Sequence, residues 1–147
     1  MVTKGFIKYH CEWTKGDAIA PESVIDITRY RNALYKLNLI REDSDGTGVG
    51  NISMKIEETS TSAESPQFII SGSQTGKLPT VTAFDYSLVT AFDPAQNSLA
   101  CSGMSKASSE SLTHGVIYTS APKIGAVIHV HNSQIWQGLL DRGPTTK

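Results

Sequence analysis

Two histidines one residue apart, His129 and His131, close the apolar run Ile124-Gly125-Ala126-Val127-Ile128-His129-Val130-His131. In a strand alternate side chains share a face, so both imidazoles point the same way, roughly 6.5–7 Å apart along the chain. From that spacing both can reach one divalent ion through bonds of about 2.0–2.1 Å. The flanking residues are apolar, which leaves the histidines as the strong metal donors of the run. A catalytic zinc ordinarily needs three protein ligands and an open position, so the pair alone is an incomplete site. Two hydrogen-bonded histidines closing a strand fit the same spacing.

Upstream, Glu110 and His114 are spaced to share one face of a helix. Near a metal, Glu110 could serve as a ligand or as a general base tuned by the ion. Alone, a first-turn glutamate simply complements the helix dipole, and a lone histidine is a hydrogen-bonded structural residue. Three turns of small residues complete the set: Gly48-Val49-Gly50-Asn51, Ser71-Gly72-Ser73 and Ser108-Ser109. Such turns expose N–H and hydroxyl donors, and a helix N-terminus adds a favourable field for phosphate. Each turn singly is ordinary loop chemistry. Only their combination argues for a site.

These residues need elements to hold them. Pro21 suits a helix start, and Val24, Ile27, Tyr30, Leu34 and Leu37 recur on one helical face that ends near Asn38. Residues 41–50 are polar and glycine-rich, a loop. Asn51–Ile56 alternates as a strand, Phe68–Ile70 is a short apolar strand, and residues 58–66 form a polar connection. Leu88–Phe92 predicts a strand, 93–97 a turn and Leu99-Ala100 a returning strand. Ser108-Ser109-Glu110 predicts a helix start carrying Leu112, Val116 and Ile117, with Pro122 just past its end. The run into His131 predicts a nearly continuous buried strand, and 134–140 opens a further helix. Strands followed by helix–strand–helix give an α/β or α+β class with a largely antiparallel sheet.

The 147 residues are enough for one domain burying roughly 68–70% of its unfolded surface. Charged residues at 18% and apolar residues at 39% describe an ordinary globular chain. A net charge of -1 without a Lys/Arg run gives no case for nucleic acid or an anionic membrane. Cys11 and Cys101 lie far apart without a CxxC partner, so reduced thiols are expected rather than a disulfide framework. The N-terminus has no signal-like apolar core, and no run reaches the length of a membrane span. The expected location is cytoplasmic.

The order Gly50-Asn51-x-Ser53, Ser71-Gly72, Ser108-Ser109-Glu110-x-x-x-His114-x-x-x-Tyr118, then His129-x-His131 resembles the class II aldolase/adducin family. The resemblance covers roughly residues 22–140. It implies an α/β fold, a three-layer α/β/α sandwich around a mainly antiparallel central sheet. It implies that His129 and His131 ligate a divalent metal, with zinc the expected ion, and that Glu110 is the catalytic acid/base. It implies that Gly50, Asn51, Ser71, Gly72, Ser108 and Ser109 cradle a substrate phosphate. The implied partners are a small phosphorylated sugar and further copies of the chain, a homo-oligomer that is tetrameric by resemblance. The implied reaction is aldolase-type cleavage of a phosphorylated ketose through a metal-stabilised enediolate.

The pattern also departs from the family. Its third metal-binding histidine follows well after the His-x-His strand, whereas this sequence ends at Lys147 with no later histidine. Residues 22–147 are therefore expected to be a family domain incomplete at its C-terminal end, preceded by an arm over 1–21. A non-catalytic adducin-like binding or assembly module is the alternative, as is an epimerase or dehydratase of the same family.

Overall fold

A computed structural model describes residues 9–57 and 65–142 of the chain. The first strand, β1 (His10–Lys15), comes from the segment read as an arm. A 3-10 turn (Pro21–Val24) then leads into α1 (Ile25–Lys36). Two short strands follow, β2 (Arg41–Glu42) and β3 (Gly48–Val49), and then β4 (Asn51–Lys55) and β5 (Phe68–Ser71). Next come β6 (Tyr86–Asp93), β7 (Ser98–Gly103) and α2 (Ser111–Ser120). The described chain closes with β8 (Ala126–His129) and α3 (Ser133–Arg142). The polar connection expected over 58–66 falls largely outside the described residues.

The fold is mixed α/β. Six strands make one sheet in the order β1-β7-β6-β5-β4-β8, while β2 and β3 form a separate hairpin. The sheet is mixed: β1 runs parallel to β7, and the other neighbours pair antiparallel. Side-chain alternation along β5 splits the core in two. Ile69 packs with Ile52, Val24 and Ile27 on the α1 side. Phe68 and Ile70 pack with Val89, Leu99 and Tyr118 on the α2 side.

Several sequence expectations change. The buried helical face consists of Val24 at the end of the 3-10 turn and Ile27 and Arg31 of α1, while Tyr30 and, just past the helix, Leu37 are exposed. The polar loop over 41–50 contains the β2–β3 hairpin. The helix expected from Ser108 starts late: Glu110 is the N-cap of α2, which begins at Ser111, because Ser108 and Ser109 are spent on a turn before it. The strand into the histidines is short and lies at the edge of the sheet, with Ala126 and Ile128 exposed rather than buried. Its apolar composition was compatible with a buried strand, but composition does not reveal which neighbours a strand has.

Candidate functional site

The centre of the site follows from one register. On β4, Asn51 lies directly opposite His129 of β8, and Ser53 lies opposite Val127. Asn51 and Ser53 are two apart on a strand and so share a face. Across that face runs α2, whose His114 and Tyr118 are four apart and also share a face. The rise over four helical residues nearly equals the rise over two strand residues, so the two pairs meet side by side.

The contacts are short and buried. His114 Nε2 lies 2.6 Å from Asn51 Oδ1, and its Nδ1 lies 2.6 Å from Ser53 Oγ. Ser53 Oγ lies 2.7 Å from the Tyr118 hydroxyl. The Asn51 amide nitrogen also faces His129 Nδ1 at 3.3 Å and donates to Ser108 Oγ at 3.4 Å. Asn51, Ser53, His114 and Tyr118 are all buried. Burial, with a smaller contribution from His129, pushes His114 down from 6.5 to about 4. It is a neutral imidazole at physiological pH. Burial raises Tyr118, against opposing hydrogen bonds from Ser53 and the Val127 main chain.

His131 lies two residues past the end of β8, yet it stays on the same side as His129. Their ring centroids are 4.8 Å apart, inclined at 49°. The backbone at His131 is held from outside the sheet: its N–H donates to Leu39 O at 3.0 Å, and Arg41 Nη1 donates to its carbonyl at 2.6 Å. Asp43 in turn accepts from Arg41 Nη2 at 3.2 Å. Burial lowers the His131 pKa, with His129 and then Arg41 adding to that, while Asp43 and Glu110 oppose it. The Glu110 carboxylate is thus close enough to act on His131 electrostatically. A cavity of about 480 Å³ opens beside the pair, lined by Arg41, His129, His131, Trp136 and Leu139 among others. Two imidazoles side by side, one of them biased toward its neutral form, fit two of the donors a divalent ion needs. Among the described residues, no three His, Cys, Asp or Glu side chains gather as a metal site, so Glu110 does not complete the set.

The six positions assigned to phosphate fall in three places. Gly50 joins β3 to β4 at φ +87°, and a Cβ there would meet Ile40 Cγ1 at 2.8 Å and His129 O at 3.1 Å. Only glycine lets this turn pass under the histidine strand. Asn51 faces the buried contacts already described. Ser71 is buried, its Oγ accepting from Ile52 N at 3.1 Å, and Gly72 N–H donates to Asp85 O at 2.7 Å. Ser108 is buried and accepts from Glu110 N at 3.2 Å, whereas Ser109 is exposed. An isolated bridge between Gly72 and Ala107 brings the second and third turns together, and the Asn51–Ser108 bond ties the first to the third.

Two positioning residues escaped sequence reasoning. Arg41 lies in a stretch whose composition predicts a polar loop, and only the fold brings it to His131. Arg31 is fully buried, and its Nη2 donates to Thr75 O at 2.7 Å, pinning the turn after Ser71-Gly72. An arginine on an otherwise apolar helical stripe was the available signal, since burial of that side chain requires a partner.

The family model for the class II aldolase and adducin N-terminal domain matches residues 33–136. The chain belongs to this family. The match starts within α1 and ends within α3, so the class II aldolase/adducin domain takes in every candidate from Gly50 to His131. No curated protein and no solved structure matches the chain. No helix among the described residues is long and apolar enough to cross a membrane.

Proposed function

We propose that this class II aldolase/adducin domain is part of a metal-dependent lyase that cleaves a small phosphorylated ketose. The observation that carries this is the His129–His131 pair, its rings 4.8 Å apart beside a cavity and within electrostatic reach of Glu110. His129 and His131 would hold the ion, with zinc the expected metal. A divalent ion held there would supply the Lewis acidity that carbon–carbon bond cleavage beside a carbonyl needs. Glu110, half-buried at the start of α2, moves the proton at the reacting carbon or its hydroxyl. The exposed Ser109 hydroxyl and the turns at Gly50 and Gly72 orient the phosphate, so that the labile bond is presented to the histidines. Asn51, Ser71 and Ser108 serve the same cradle chiefly by bracing it, since their side chains already bond within the protein. The reading extends to a three-layer α/β/α sandwich with a mainly antiparallel sheet, a homo-oligomer, tetrameric by resemblance, and a cytoplasmic location.

The test is turnover of a panel of phosphorylated ketoses with added Zn2+, Co2+ or Mn2+. Wild type should cleave at least one in a metal-dependent manner, and Glu110→Gln should lower kcat by about a hundredfold or more while leaving metal binding intact. An epimerase or dehydratase would convert the sugar without breaking its chain. One observation favours the adducin-like binding module: the described residues supply no third metal donor. That reading gains if the full panel passes unchanged whichever metal is present.

A further inference from the structure

The contacts behind His129 form a line with a direction. Asn51 Oδ1 can only accept, so the 2.6 Å contact requires the proton of neutral His114 to sit on Nε2. His114 Nδ1 must then accept from Ser53 Oγ, and Ser53 in turn accepts from the Tyr118 hydroxyl. At the other end the Asn51 amide nitrogen donates to His129 Nδ1. A neutral His129 ring that accepts at Nδ1 carries its own proton on Nε2. That nitrogen therefore has no lone pair to offer an ion.

We propose that Asn51 couples the protonated nitrogen of His114 to that of His129, so that metal binding at His129 reverses the whole line. The inference rests on the reading of His129 as a metal ligand. To bind through Nε2, His129 must move its proton to Nδ1, which then donates toward Asn51 and needs an oxygen there. The Asn51 amide turns over, presenting Oδ1 to His129 and Nδ2 to His114. His114 Nε2 now accepts, its proton sits on Nδ1, and that N–H donates to Ser53 Oγ. The Ser108 hydroxyl, which accepted from Nδ2, turns to donate to Oδ1; the Ser53 hydroxyl turns to donate to Tyr118 Oη, and the Tyr118 hydroxyl turns away from Ser53. No net charge changes within the line. Asn51, Ser53, His114 and Tyr118 are at most 5% exposed, so water cannot easily satisfy a half-turned arrangement. The neutral state of His114 is essential, because a doubly protonated ring could not accept from either side.

His114 and Asn51 are thus positioning residues, and their role is visible without any turnover. Two-bond ¹H–¹⁵N correlation spectra show which ring nitrogen carries the proton, with each histidine assigned by single substitution. In metal-free wild type both His114 and His129 should be protonated on Nε2. Addition of Zn2+ alone should move both protons to Nδ1 together. In Asn51→Asp the carboxylate accepts from both rings, which holds His129 protonated on Nδ1 and His114 on Nε2 before any metal is added, so Zn2+ should bind and leave both protons where they are. Binding of Zn2+ to wild type with the His114 proton still on Nε2 would overturn the coupling and leave the metal reading intact. Absence of Zn2+ binding to wild type would sink the metal reading and the coupling with it.

Discussion

His114 uses both ring nitrogens inside the protein, and its burial has a consequence in acid. Its pKa falls from 6.5 to about 4, mainly through desolvation. Above pH 6.5 the ring is neutral in both folded and unfolded chains, and it contributes no pH dependence. Between about 6.5 and 4 the unfolded chain takes up a proton that the folded chain refuses, so stability falls with pH by about 3 kcal/mol in total. Below that window the loss levels off. His114→Gln cannot take up the proton, and urea unfolding between pH 7.5 and 4 should show a correspondingly shallower decline than wild type. Parallel profiles would argue that His114 titrates normally. This residue was legible as a hydrogen-bonded histidine. Its partners were not, because the Asn51-x-Ser53 and His114-x-x-x-Tyr118 pairs meet only once α2 lies across β4.

Among elements, the loops around the site are held by close backbone contact and by one buried cation. A Cβ on Gly76 would lie 2.6 Å from Val49 O and 2.8 Å from Val49 N, so the turn after β5 packs directly on β3. Gly76→Ala should cost about 1–3 kcal/mol in chemical denaturation by prying these segments apart; a change within experimental error would contradict the tight packing. Arg31→Met removes the donor to Thr75 O and should cost about 2 kcal/mol or more, with the turn at Ser71-Gly72 loosened in hydrogen exchange. Undiminished protection there would show that Arg31 does not brace the turn. Glycine and serine in these turns were readable as a possible phosphate cradle. Their structural load was not, since contact between Gly76 and Val49 depends on two loops far apart in sequence. The start of α2 shows the same limit: three polar residues in a row announced a helix start, whereas Ser108 is taken up by a long-range bond from Asn51 and a local one from Glu110 N, and the helix begins at Ser111.

At the scale of the molecule, β4 joins the two functional halves, pairing with β5 on one side and with the histidine strand β8 on the other. Beyond it, the helix expected over 134–140 is present as α3, yet none of its residues is buried, with Trp136 60% exposed. Periodicity identifies an apolar face and is silent on what covers it. Because an ion at His129 and His131 would bind the folded chain and not the unfolded one, Zn2+ should stabilise the fold by about 2.7 kcal/mol at a hundredfold excess over Kd and so raise the unfolding midpoint. An unchanged midpoint with and without Zn2+ would speak against a site formed by folding. The most direct test counts the ion itself, by equilibrium dialysis and elemental analysis of wild type, His129→Ala and His131→Ala, with circular dichroism confirming that each is folded. The prediction is a single zinc ion per wild-type chain and near-complete loss in both variants. Equal zinc in all three proteins, or none in wild type, would contradict the assignment of His129 and His131 as its ligands.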